Sequence, residues 1–78
     1  MLISRKKAKK YLSDASLTDF WDVVHEAKIS PTDQEILDAK FVQGMSIVEI
    51  SMTYGYSEET VKRIISRSYD KIYRLLGF

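Results

Sequence analysis

The stretch SIVEISMTYGYSEETVKRIISRSYDK, residues 46–71, predicts how the second half of the chain folds. Glu49 follows Ser46 by three residues, which is the spacing of a capping box, where each side chain bonds the other residue's backbone N–H. Gly55 can adopt the positive φ angle that ends a helix in a sharp turn, and Ser57 suits the start of a second helix. The stretch therefore predicts a short helix, a glycine turn and a longer helix.

The residues around this turn favour one particular packing of the two helices. Ile50 supplies an apolar contact from the first helix, and Ser51 is small where the helices are expected to cross. Tyr56 is the expected buried residue of the turn, while Val61 and Ile64 anchor the second helix. This combination predicts a helix-turn-helix unit.

The remainder of the chain is also predicted to be helical. Ser16 can cap an amphipathic helix over residues 17–28, and Ser30-Pro31 opens another helix that Gly44 ends. We predict an all-α fold, a small bundle of four to five helices with a helix-turn-helix in residues 13–78. Residues 1–12 are expected to be a basic N-terminal arm or a short helix. The final helix should bury one side, formed by Val61, Ile64, Ile65, Ser68, Ile72 and Leu76.

Two elements exceed what a helix-turn-helix needs, namely the helix over residues 17–28 and the last two turns of the final helix. These elements can pack on each other, with Trp21 as a packing residue, or across a homodimer. Met45 and Met52 are expected to fill gaps in the core rather than to form a partner surface.

Charge is distributed unevenly along the chain of 78 residues, although its net charge is only +1. Residues 1–11 hold five basic residues and no acid, residues 12–59 have a balance of −8, and residues 60–78 have a balance of +4. If the two basic ends meet in space, they form one positive face. The absence of cysteine excludes disulfides and thiolate metal sites, and one histidine makes a zinc site a poor interpretation.

Residues 30–76 resemble region 4 of the bacterial sigma-70 family, which reads the −35 promoter element. They are similar, more loosely, to DNA-binding domains of LuxR-type response regulators. Ser51 departs from the usual alanine, and Tyr54 and Tyr56 replace smaller aliphatic residues. A complete sigma factor also needs region 2, for which 78 residues leave no room, so the resemblance implies a small stand-alone regulator. The matching positions are Gly44, Ser46, Glu49, Ile50, Gly55, Ser57, Glu58, Thr60, Val61, Lys62 and Arg67.

The start of the final helix is where side chains are expected to reach base edges in the major groove. The candidate DNA-binding residues there are Ser57, Glu59, Thr60, Lys62 and Arg63. Arg67, Lys71 and Arg74 continue along one side at intervals of three or four residues and suit phosphates. The alternative interpretation is a solubilising surface in which Asp70 and Arg74 form an ordinary i,i+4 pair.

The two acids at the start of this helix have different interpretations. Glu58 is expected to stabilise the positive helix end. Glu59 can stabilise the helix end in the same way, or it can accept a hydrogen bond from a cytosine amino group.

Two functions compete. The first is sequence-specific binding of duplex DNA by a small transcriptional regulator, with residues 57–75 as recognition helix and the basic start as an arm on phosphates. The second is a region 4-like interaction module that binds RNA polymerase or a phage or mobile-element protein. We expect no enzyme, because no nucleophile–base pair, metal set or phosphate loop is present, and no cofactor. No apolar run reaches membrane-spanning length, so we expect no membrane partner and a cytoplasmic, nucleoid-associated protein.

Overall fold

A computed structural model describes the backbone of residues 2–77 and the side chains of residues 5–77. Its helices are α1 (Leu2–Asp14), α2 (Leu17–Glu26), α3 (Pro31–Leu37), α4 (Ile47–Tyr54) and α5 (Glu58–Leu76), with a π-helical segment, Asp38–Val42, continuing α3. The described residues contain no strand. The predicted all-α bundle with a helix-turn-helix is therefore confirmed.

Serine caps begin four of these helices. The Oγ atoms of Ser16, Ser30, Ser46 and Ser57 each accept from the backbone N–H three residues further on, at 3.1–3.4 Å. Each bond satisfies a backbone donor that has no partner inside its helix, which is worth about 1 kcal/mol. The predicted helix starts are confirmed at all four positions.

Two predicted helices end differently from expectation. The helix predicted over residues 17–28 ends at Glu26, because Lys28 takes a left-handed φ of 55° and turns the chain away. The helix predicted to run from Pro31 to Gly44 changes from α to π geometry at Asp38. Gly44, at φ 71°, ends it as predicted, and the Met45 N–H then donates to the Ala39 carbonyl at 2.9 Å.

The core is built around α5. The predicted apolar side of this helix is buried, apart from the half-buried Leu76, and Tyr69 joins it at 8% exposure. Ser68 is fully buried, and its hydroxyl donates to the Ile64 carbonyl at 2.9 Å, so this polar group keeps a hydrogen bond. Burying a side chain such as Ile72 completely contributes about 1.5–3 kcal/mol.

Helices α1 and α2 both pack against α5. Ala8 and Leu12 of α1 are buried, and so are Phe20 and Val24 of α2. The two elements that exceed a helix-turn-helix, α2 and the end of α5, therefore pack within one chain, which was one of the two predicted arrangements. Trp21 is half-buried with its ring edge-on to Phe20 at 5.0 Å, as expected of a packing residue.

The prediction that both methionines fill the core is wrong for one of them. Met45 is half-buried against the core, but Met52 is 78% exposed. Met52 lies on the side of α4 that faces away from α5, because its neighbours Ile50 and Ser51 occupy the buried side. Val48, one turn earlier, is also exposed at 48%.

Candidate nucleic-acid interface

The turn between α4 and α5 has the geometry that a helix-turn-helix requires. Gly55 adopts φ 76° and ψ 21°, the left-handed conformation that costs a residue with a side chain extra energy. The N–H groups of Gly55 and Tyr56 both donate to the Ser51 carbonyl, at 3.0 and 3.1 Å. Ser51 is buried where the two helices were expected to cross, and Tyr56, the expected buried residue of the turn, is only half-buried. The turn thus holds α5 at a defined angle to α4.

The first turn of α5 is exposed and internally hydrogen-bonded. The Ser57 hydroxyl accepts from the Thr60 N–H at 3.1 Å and donates to the Thr60 hydroxyl at 2.9 Å. Glu58 and Glu59 lie in this first turn with exposed side chains. Acids at this position interact favourably with the positive end of the helix, which is the role expected for Glu58.

An open groove of about 400 Å³ runs along the exposed side of α5. Its lining consists of basic side chains together with Glu59, Asp70 and Ser66. Ser57 and Thr60 lie outside the groove, at the start of the helix. Five of the seven candidate residues are therefore brought together along this groove. Its basic side chains are Arg5, Lys62, Arg63, Arg67, Lys71 and Arg74.

Arg67 is anchored by a buried carboxylate from another helix. Its Nε donates to Asp33 at 3.2 Å, and its Nη2 donates to both Asp33 oxygens at 3.1 and 2.9 Å. The Asp33 side chain is only 6% exposed, while that of Arg67 is 52% exposed. Such a charge is tolerated in the interior because it is paired and hydrogen-bonded. Asp33 lies in the first turn of α3, and its carboxylate holds Arg67 from there.

A second arginine reaches the groove from the N-terminal helix. Nε and Nη2 of Arg5 donate to the two oxygens of Asp70 at 3.1 and 3.2 Å. The hydrogen bond and the positive charge of Arg5 lower the pKa of Asp70, although partial burial opposes the shift. The same contact raises the pKa of Arg5. The alternative interpretation paired Asp70 with Arg74, but Asp70 bonds Arg5, and Arg74 acts on Asp70 only through its charge.

The two basic ends of the chain meet at this groove through Arg5. Among the described residues lining it, Glu59 and Asp70 are the acids, and Glu59 is the one that belongs to the acidic middle of the chain, while Asp33 lies behind Arg67. Lys6, Lys9 and other N-terminal lysines are exposed but do not line the groove. The sequence contained no signal that would single out Arg5 among its basic neighbours, because its partner lies 65 residues away.

Comparison with known proteins identifies the unit that carries this groove. The sequence profile described as "Sigma-70, region 4" matches residues 27–74, which include α3, α4 and nearly all of α5. No curated protein and no solved structure matches the chain. Domains of this family bind DNA through a helix-turn-helix and interact with RNA polymerase. None of the helices among the described residues is both long and apolar enough to span a bilayer. Because the match covers more than half of the 78 residues, the chain belongs to the sigma-70 region 4 family.

Proposed function

We propose that this protein binds duplex DNA in a sequence-specific manner, as a small transcriptional regulator, with α5 as the recognition helix. The observation that carries the proposal is the basic groove beside the exposed first turns of α5. A helix-turn-helix places the first turns of its second helix in the major groove, where base pairs differ in their donors and acceptors. On this proposal the protein acts by binding and not by catalysis, in the cytoplasm at the nucleoid.

Base contacts are assigned to the first two turns of α5. Lys62 and Arg63 are exposed, and no carboxylate among the described residues forms an ion pair with either. A free guanidinium or ammonium group can donate to the N7 and O6 atoms of guanine. Thr60 and Ser57 lie one turn earlier, where hydroxyl groups reach bases or phosphates. Glu59 lies at the groove edge and is assigned a contact to a cytosine amino group.

Phosphate contacts are assigned further along the helix, to Arg67 and Lys71. The bonds to Asp33 occupy Nε and Nη2 of Arg67, so the Nη1 edge is the part of the guanidinium that remains for a phosphate. Lys71 follows Arg67 by one turn and lines the same groove. These contacts neutralise phosphates and release counterions, so binding should weaken steeply with salt.

A second candidate function is an interaction module that binds RNA polymerase or a phage or mobile-element protein. The exposed pair Val48 and Met52 on α4 favours it, because they lie at i,i+4 spacing and form an apolar patch on the surface. The two functions are compatible, since the patch lies on α4 and the groove lies along α5.

Fluorescence anisotropy with a labelled random-sequence duplex tests the first function. We expect binding whose affinity falls steeply between about 50 and 200 mM salt. Changing Lys62→Ala and Arg63→Ala together should weaken binding, and Lys71→Ala, at an assigned phosphate contact, should lower the slope of log K against log salt by about 0.9. Removing a side chain that reads a base should lower the affinity for a preferred sequence. Lys6→Ala with Lys10→Ala is the matched control, because it removes the same charge from exposed sites outside the groove.

The test has two decisive outcomes. Absence of wild-type binding at low salt would refute DNA binding. Binding that the control variant weakens as much as the Lys62 and Arg63 variant would refute the assigned contacts, because net charge alone would then explain the affinity.

A further inference from the structure

Helix α1 lies outside the residues that match the family, yet its residue Arg5 lines the basic groove. The match begins at residue 27, whereas α1 is Leu2–Asp14. Ala8 and Leu12 bury one side of α1, and Arg5 shares that side at helical spacing. The same side of the helix therefore packs against the domain and presents a guanidinium group to the groove.

Arg5 and Arg67 are held in the same way. Each directs Nε and Nη2 at the two oxygens of one carboxylate, Asp70 for Arg5 and Asp33 for Arg67, and each side chain stays 40–52% exposed. Asp70 follows Arg67 by three residues, so the carboxylate that holds Arg5 and the backbone of Arg67 lie about one helical turn apart along α5. Side chains that are already ordered lose less conformational entropy when they bind a ligand.

The far end of the protein's basic groove, at Arg74 and Arg5, lies too far along α5 to reach the bases that the first turns of this helix contact. Arg74 follows Glu59 by 15 residues, which is about 22 Å along a helix at a rise of 1.5 Å per residue. The major groove of B-DNA is only about 12 Å wide. With Glu59 in the major groove of the DNA, Arg74 and its neighbour Arg5 are therefore placed where a sugar–phosphate strand borders that major groove.

The chemistry of the lining favours phosphates over an acidic protein segment. Among the described residues, every side chain that lines the groove is charged except Ser66, and none is apolar. A protein partner normally anchors itself with apolar side chains, which need an apolar floor. The exposed apolar residues Val48 and Met52 are absent from the lining of this groove.

We propose that Arg5 and Arg74, at the contact between α1 and α5, form a second phosphate-binding site for the backbone of the same duplex. This inference rests on the proposed function and extends it to a helix outside the family's matched residues. In it, Arg5 lies on a packed helix and not on a free arm, and the Arg5–Asp70 pair positions the guanidinium group.

Two variants test the site by anisotropy on the random-sequence duplex. Arg5→Gln with Asp70→Asn keeps the net charge and a polar pair, so simple neutralisation of Asp70 by Arg5 predicts no change. The proposal predicts a slope of log K against log salt that is lower by about 0.9, for one phosphate contact. Arg74→Ala should lower the slope by a similar amount, compared with Lys10→Ala, which removes the same charge outside the groove.

Circular dichroism of each variant shows whether α1 keeps its helical structure. If the Arg5→Gln, Asp70→Asn variant loses helix, Arg74→Ala alone tests the second phosphate site, because Arg74 is exposed and its removal should leave the fold intact. Lower slopes in these variants, with Lys10→Ala unchanged, support the site. Unchanged slopes, with weaker binding by the Lys62 and Arg63 variant, overturn the second site and leave the proposed function standing. Absence of wild-type binding overturns both.

Discussion

Replacing Arg67 by alanine is expected to destabilise the domain more than breaking any exposed salt bridge would. The substitution removes three hydrogen bonds of 2.9–3.2 Å and leaves the Asp33 carboxylate, only 6% exposed, without its partner. The reverse substitution, Asp33→Ala, leaves a guanidinium that is already 52% exposed and can turn into water. The two single substitutions should therefore differ in cost, although they break the same ion pair.

The magnitude follows from how much of the pair is buried. Removing one partner of a fully buried ion pair costs about 3–5 kcal/mol, but water can reach Asp33 along the space that Arg67 vacates, so we expect about 2–3 kcal/mol. Asp33→Ala should cost about 1 kcal/mol. A domain of 78 residues has roughly 4–12 kcal/mol of stability in total. Arg67→Ala should accordingly lower Tm by roughly 10–20 °C.

Urea unfolding followed by circular dichroism measures these costs, with both single variants and the Asp33→Ala, Arg67→Ala double variant in one cycle. The double variant should be no less stable than Arg67→Ala, because it lacks the buried charge. Arg67→Lys separates charge from geometry, since an ammonium cannot reproduce the two-pronged contact. An Arg67→Ala variant within about 0.5 kcal/mol of wild type would refute the reasoning. The cycle also shows why Arg67 is a poor choice for testing DNA contact by truncation.

Three further predictions concern local features. Gly55→Ala should lower the free energy of unfolding in urea by about 1–2 kcal/mol, because φ is 76° and this left-handed conformation is unfavourable for alanine. Apart from the chain neighbours, no atom lies within 4 Å of an added Cβ, so the cost comes from backbone conformation. Gly55→Asn should cost less, and equal costs would contradict this reason. Ser46→Ala should cost about 1 kcal/mol by removing the α4 cap. A hydrogen bond from the Ser46 backbone N–H, joined by one from its hydroxyl, lowers the pKa of Glu49. Ser46→Ala removes only the hydroxyl, so that pKa should rise only part of the way toward its ordinary range in an NMR titration; a full return would contradict the bond from the backbone N–H. Burial raises the pKa of Tyr69 from 10.0 to about 12, so this side chain ionises at lower pH in the unfolded state than in the folded state. The free energy of unfolding should therefore fall by roughly 2–3 kcal/mol between pH 10 and 12, and Tyr69→Phe should not show this decrease.

Some corrections to the predicted structure have a common cause. The Asp70 side chain pairs with Arg5, and not with Arg74 as in the alternative interpretation, and Asp33 pairs with Arg67, across separations of 65 and 34 residues. Helical spacing indicates which residues share a side of one helix, but it carries no information about which helix lies opposite. Met52 shows the same limit, because its apolar character predicted burial and only the packing of α4 decided that it faces outward.

The sequence by itself determined the local features of this protein: the serine caps, the glycine turn at Gly55, the buried side of α5 and the helix-turn-helix that they form. These features depend on residues within one helical turn of each other, so their spacing along the chain is sufficient to predict them. Only the tertiary structure decided that α1 packs beside α5 and that Arg5 joins the basic groove. Those arrangements depend on which apolar sides bury each other, and the carboxylate that each arginine finds is a consequence of that packing.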